Sequence, residues 1–364
     1  MSTPFAVRIP SRPYRVHRDD SGDGRGTSQL NLSFGAPTAS SKPSATISAV
    51  LLLTLDDANR ARLLMKTLRA CGALDLFQDF FVVARGEELA PIRDVLETDG
   101  DSAVVMIDEE QLLLKMLLSG DHNAAAAAAV IDGRVGAGTH NRRRGETYAL
   151  QMILKLLAAS LMRTPYYLTL DADVLCTKSR LSEKDILPHA KGNYMPERRQ
   201  VHPMWWTASA KALAVEDKLD GGGFGVTPAV LSTVGSMLAL ERLQEVHGRN
   251  SFLPRMIDAF ARGAEGWWSE YTLYRLALDH FGAFDALHAV GSTKLIGKSV
   301  WFADDFESWN ATAVFDDDSA AFVVVQSTAG IDTKTLDERV SQGLSERESK
   351  LRALGKVSSE VLIG

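Results

Sequence analysis

The residues best suited to chemistry are Asp171 and Asp173, which close the apolar run Tyr166–Leu170 in the order Asp-Ala-Asp. Side chains two apart on an extended chain project to the same side. Two carboxylates held that way repel each other unless a cation stands beside them. A hard divalent ion, Mg2+ or Mn2+, suits such a pair and takes its remaining ligands from substrate phosphates. The plain alternative is a polar turn after a strand, with Asp as a helix cap. Upstream, Gln151 and Lys155 stand four apart in the otherwise apolar stretch Gly145–Met162 and so share one helical face. A buried helix tolerates such a pair if it reaches a ligand or solvent. Asn141-Arg142-Arg143-Arg144 just before it suits a diphosphate; a solvated basic loop accounts for it equally well.

All six tryptophans lie between Trp205 and Trp309. Trp205-Trp206 follows His202-Pro203, and Trp267-Trp268 precedes Glu270. Aromatic faces suit the apolar face of a sugar ring, and the indole adds an N–H donor. Neighbours on a strand face opposite ways, so one of each pair is expected in the core and the other in a cleft. Trp301 and Trp309 are expected in packing or in a lid.

These residues need elements to position them. Ile47–Leu55 is a continuous apolar run, as in a strand buried on both faces. A helix over Ala58–Ala70, a strand over Phe80–Ala84, a short helix over Ala90–Leu96 and a strand over Ala103–Ile107 follow. With the strand Tyr166–Leu170, the pattern predicts an α/β fold of Rossmann-like type, a mainly parallel doubly wound sheet. Such sheets bind ligands at the carboxyl ends of their strands, where Asp171 and Asp173 lie. Asp121–His140 is expected as an exposed insertion. Further on, helices are expected over Pro228–Glu245, Phe252–Arg262 and Ser269–His280, and a strand over Phe322–Gln326. Residues 332–354 read as a surface helix with Leu336, Val340, Leu344 and Leu351 on its inner side.

Residues 1–45 are rich in Ser, Pro, Gly and Arg without apolar periodicity, so they are expected to be disordered. Arg8, Arg12, Arg15 and Arg18 precede the first acid, Asp19, a pattern that also fits an organelle transit peptide. The chain of 364 residues is 45% hydrophobic and 24% charged, which suits a globular protein with a sizeable core. A formal charge of −6 argues against general nucleic-acid binding. No apolar run is long enough to span a bilayer, because Ala149–Met162 contains Gln151 and Lys155. The two cysteines, Cys71 and Cys176, build neither a disulfide framework nor a zinc site alone, and they fit a reducing compartment. A soluble, cytoplasmic protein is therefore expected.

A first strand ending in Asp56-Asp57, a helix with Gln151-X-X-X-Lys155 and a strand running into Asp171-X-Asp173 together resemble a GT-A glycosyltransferase. Gly221–Pro228 resembles the small-residue loop that lies against the donor sugar in such enzymes. Gly266–Tyr274 resembles their acceptor-side segment. Leu170–Asp173, Ser269–Tyr271 and Val324–Ser327 are most similar to poorly characterised glycosyltransferase-like proteins of bacteria and algae. The resemblance implies a GT-A fold over residues 46–330, with 46–176 as the nucleotide and metal half and 177–330 as the donor-sugar and acceptor half. Residues 1–45 form a tail and 331–364 a C-terminal surface helix. It further implies Mn2+ or Mg2+ on Asp173, with Asp171 on the ribose or the metal, and a nucleotide-sugar donor near Gln151, Lys155 and Arg144. Gly222 and Gly223 would allow close approach of the donor. A carbohydrate acceptor would meet Trp206, Trp268 and Tyr271.

Glu270 is the implied catalytic base of an inverting transfer. A retaining enzyme would use it only to orient the acceptor, and Glu270 also suits a simple helix cap. Members with a late His as third metal ligand leave only His280 and His288 as counterparts here. Two other readings remain open. A phosphatase of the haloacid dehalogenase class would use Asp171 and Asp173 with Asp304-Asp305, although three strands precede Asp171 and Lys298 stands close before Asp304. A non-catalytic carbohydrate-binding protein would use the same fold without turnover.

Overall fold

The computed structural model describes residues 14–17, 31–34, 46–97, 104–118, 144–217, 222–249 and 251–354. Its sheet begins with Ile47–Leu52 (β1), buried at every residue, as is allowed in a run whose one polar side chain, Ser48, accepts from the Thr164 hydroxyl. Phe77–Ala84 (β2) and Val104–Asp108 (β3) add to one side of β1 in parallel. Tyr166–Leu170 (β4), also wholly buried, pairs with β1 in parallel on the other side. A two-residue step beyond Asp171 leads into Val174–Cys176 (β5). Ala229–Ser232 (β6) closes the sheet antiparallel to β4, giving the order β6-β4-β1-β2-β3. The chain thus builds outward from β1 on one side and then returns to its other side. That reversal opens a crevice at the carboxyl ends of β1 and β4.

Alternation along β1 divides the core in two. Ile47, Ala49 and Leu51 pack with Leu64 and Leu68 of Ala58–Ala70 (α1) and Ile92 of Leu89–Leu96 (α2). Val50 and Leu52 face the opposite side. They join Leu112 of Glu109–Leu118 (α3) and Ile153 and Leu156 of Arg144–Leu157 (α4). This second core runs on through Trp206 of Pro203–Leu213 (α5), Leu240 of Thr233–His247 (α6), Met256 of Phe252–Ala261 (α7) and Tyr274 of Glu270–His280 (α8). The two expected halves therefore share one core. The doubly wound, mainly parallel α/β sheet is the architecture observed. A small second sheet pairs Lys294–Ile296 (β7), Ala320–Val324 (β8) and β5. Thr333–Ala353 (α9) buries Leu336 and Val340 against Phe315 and Trp309.

Several expectations change. The stretch Pro228–Glu245 is not one helix: its first part is β6, and Ser232 then caps α6 by accepting from the Gly235 N–H. An open edge on β4 offers Val230 and Leu231 hydrogen bonds and burial together, which outweighs local helix preference. Within the tail expected to be disordered, Tyr14–His17 pairs antiparallel with Asn31–Phe34. The insertion Asp121–His140 lies outside the described residues. Cys71, just after α1, is joined in a disulfide to Cys176 in β5, with Cα atoms 6.8 Å apart. This overturns the expectation of reduced cysteines, and their separation of 105 residues hid the meeting. Among the described residues, no helix is long and apolar enough to cross a membrane.

Candidate active site

A cleft of about 810 Å³ opens at the carboxyl ends of β1 and β4. Asp57 after β1, Gln151 and Lys155 on α4, and Asp171 and Asp173 after β4 line it from the first half. Gly225, Thr227, Trp205, Phe260, Glu270, Tyr271, Trp301 and Gln326 line it from the second. The Asp-X-Asp segment is a turn between β4 and β5, so fully buried strands on both sides fix the two carboxylates.

Lys155 sits at the centre. Its Nζ lies 3.1 Å from Asp171 Oδ1, 3.1 Å from Glu270 Oε1 and 2.8 Å from Thr227 Oγ1. Burial alone would lower the ammonium's pKa, but Asp171, Tyr271 and Glu270 hold it well above the ordinary lysine value. Among the described residues, Asp173 has no ion-pair partner as close, although the charges of Arg60 and Lys155 favour its ionised form. It accepts the Ser327 N–H at 3.3 Å, and burial, reinforced by the charge of Asp171, raises its carboxyl to about 6. Glu270 is buried at the first turn of α8, where Ser269, not Glu270, is the cap: the Ser269 hydroxyl accepts the Tyr271 N–H. The cap reading of Glu270 is thereby replaced by an ion pair with Lys155.

These groups fit a divalent ion in part. A cation beside Asp173 would relieve the strain of two nearby carboxylates, and Mg2+ commonly rests on one or two carboxylates plus phosphates. Among the described residues, no three His, Cys, Asp or Glu side chains converge to hold a metal. His288 is not a third ligand: buried in the core, its Nε2 meets the Tyr274 hydroxyl at 2.7 Å and its Nδ1 meets the Gly192 carbonyl at 3.1 Å. His280 stands at the end of α8, beside Phe281 and near Arg242 and Glu245. Any remaining ligands would come from phosphates and water.

Other expected site residues land elsewhere. Trp206 and Trp268 are core residues, 4% and 1% exposed, and the Trp268 indole donates to the Met256 carbonyl at 3.0 Å. Their neighbours take the outward positions. Trp205 stacks on His202 with ring centroids 3.7 Å apart and lines the cleft, and exposed Trp267 stacks on Phe260. Trp301 lines the cleft and Trp309 is buried. Gly222 and Gly223 serve packing: a Cβ on the first would crowd Pro196, and one on the second would collide with the Trp206 ring. Gly225 is the loop glycine on the cleft. Tyr271 does line the cleft, and its hydroxyl bonds Thr227 and Thr169, each at 2.8 Å. Arg144 opens α4, but its side chain lies outside the described residues. Gln151 faces both the cleft and a small adjoining cavity lined by Thr54, Arg85 and Glu109.

Sequence reasoning missed Asp57, Tyr148, Thr227 and Phe260 as cleft residues. Asp57 was within reach, because it follows the first buried strand. Thr227 falls within Gly221–Pro228, the segment resembling a donor loop, but its own side chain was not singled out, and nothing local marked Phe260.

Residues 44–347 match the model of a family described as "Family of unknown function (DUF6492)". The chain belongs to that family. No curated protein matches it. Among solved structures, this DUF6492 chain is similar to the galactosyltransferase LgtC, crystallised with donor and acceptor sugar analogues. That match has 12% identity over 86% of this chain and 98% of LgtC, with a TM-score of 0.43. It is also similar to core-mannan synthase A of Aspergillus fumigatus in its Mn/GDP form, at 10% identity over 80% of this chain and 79% of that one, with a TM-score of 0.42. A third is the glycosyltransferase GlyE of Streptococcus pneumoniae, at 12% identity over 84% and 64%, with a TM-score of 0.36.

Proposed function

We propose that this DUF6492 chain is a metal-dependent glycosyltransferase that moves a sugar from a nucleoside-diphosphate donor to a carbohydrate hydroxyl. The observation that carries the reading is the pairing, in one cleft, of the Asp171/Asp173 turn with Glu270. The first suits a cation and a diphosphate; the second is a carboxylate from the opposite wall, held by Lys155. A divalent ion on Asp173 and Asp171 would offset charge on the departing diphosphate. Glu270 would take the proton of the acceptor hydroxyl as the new C–O bond forms, with inversion. Trp205 and Trp301 offer aromatic faces to the acceptor.

The phosphatase reading has less support. It needs a second acidic pair facing Asp171, yet Asp305 Oδ2 is engaged by the Trp301 and Phe302 N–H groups at 3.0 and 2.9 Å. Incubation with Mn2+ and a panel of nucleotide sugars, scored by nucleoside diphosphate release, tests the proposal. Release that depends on both Mn2+ and an added saccharide is expected. Hydrolysis of phosphate esters with no donor turned over would instead favour the phosphatase.

A further inference from the structure

The resemblance stated above implies that Lys155 meets the donor, but its surroundings point elsewhere. A lysine ammonium has three N–H groups and no acceptor. Around Nζ stand three partners: Asp171 at 3.1 and 3.2 Å, Glu270 at 3.1 Å and Thr227 at 2.8 Å. The side chain is only 8% exposed. The hydrogen bonds beyond it can run in one sense throughout. Thr227 accepts from Lys155 and donates to Tyr271, Tyr271 donates to Thr169, and Thr169 donates to the Ala229 carbonyl at 3.1 Å. A chain of this kind leaves no donor idle and fixes the ammonium in place. Asp171 and Glu270 come from different elements, the end of β4 and the start of α8, and Lys155 from a third, α4.

We infer that Lys155 is a positioning residue: it clamps Asp171 to Glu270, setting the distance between the donor-side and acceptor-side carboxylates, and makes no contact with the donor diphosphate. The substrates named here rest on the function proposed above. The clamp itself does not. Its two carboxylates belong to opposite walls of the cleft, so their spacing governs how donor and acceptor meet, and misplacement by about 1 Å can cost on the order of 100-fold in rate.

Lys155→Met keeps the length and removes the charge. In the full chain with Mn2+, it is expected to bind a nucleoside diphosphate within about threefold of wild type while kcat falls about 100-fold. Ethylammonium is expected to restore part of the rate to Lys155→Ala, as a merely structural role would not permit. Thermal unfolding without metal or nucleotide supplies a readout independent of activity. Glu270→Gln introduced into Lys155→Met should recover stability, because it removes the carboxylate left buried without its partner. A more than tenfold loss of nucleotide affinity in Lys155→Met would make Lys155 a phosphate ligand and overturn the inference. Strictly additive stability changes in the double variant would overturn the clamp as well. A wild-type protein that turns over no nucleotide sugar but keeps the non-additive coupling would defeat the transfer reading and leave the clamp standing.

Discussion

In residues 46–176 the cleft is walled by the ends of buried parallel strands and one helix face; in residues 177–330 it is walled mostly by loops and helix ends. The first wall carries Asp57, Asp171 and Asp173 on short segments leaving β1 and β4, whose neighbours are fixed by the sheet. The second carries Glu270, Thr227, Trp205 and Trp301 on α8, on a loop before β6, on α5 and on a loop before Ala303–Ser308. The difference teaches where local pattern suffices. A carboxylate at a strand end inherits its position from that strand, whereas an aromatic on a loop or helix is placed by whatever it packs against. The two walls meet at Lys155, which the first half contributes and the second half engages through Glu270 and Thr227.

This contrast can be broken at several points. The largest effect is expected at Asp173, where Asp173→Ala should abolish Mn2+-dependent nucleoside diphosphate binding; calorimetry showing unchanged binding would remove it from the metal site. Glu270→Gln on the opposite wall should leave donor binding intact and lower kcat by about 10²–10⁴-fold; full activity in a transfer assay excludes it as the base. The tryptophan pairs should separate cleanly. Trp268→Ala, in the core, is expected to cost about 3–5 kcal/mol of stability in denaturant unfolding. Trp205→Ala is expected to cost under about 1 kcal/mol while raising the acceptor KM several-fold.

A last effect concerns pH. Burial holds His288 in the neutral form and lowers its pKa to about 3. The unfolded chain takes up that proton first, near the ordinary value of 6.5. The stability that rests on neutral His288 is therefore complete above pH 6.5 and is lost as pH falls from there toward 3, by at most ~1.4 kcal/mol per unit. Urea midpoints measured between pH 7 and 4 should show this slope, and His288→Gln should flatten it.

The comparison also explains what could be read early. The central strands β1 and β4 announce themselves as largely apolar runs, because both of their faces are covered, whereas β3 at the edge is only half-buried. Tyr166–Leu170 is a strand with the expected bounds, and the carboxylates after it stand at the cleft. Lys155 was visible as a polar residue on a buried helix, but its partner Glu270 is 115 positions away (270 − 155) and no spacing rule links them. Trp206 and Trp268 were assigned to the acceptor, yet both went inward. On α5 and around the start of α8, burial depends on which side faces α6 and α7, and neither composition nor adjacency reveals that. The edge of β4 turned Ala229–Ser232 into a strand against its helical pattern for the same reason: the hydrogen bonds it gained belong to another element.

From its residues alone, this protein determined a mainly parallel α/β sheet and the place of its acidic turn, because burial on both faces and strand direction are written into short apolar runs. The tertiary structure alone decided which indole of each pair is buried, that Cys71 meets Cys176, and that Lys155 is spent on two carboxylates and a hydroxyl. Those outcomes depend on contacts between segments far apart in the chain, where the energy of a pair exists only once both members have been brought together.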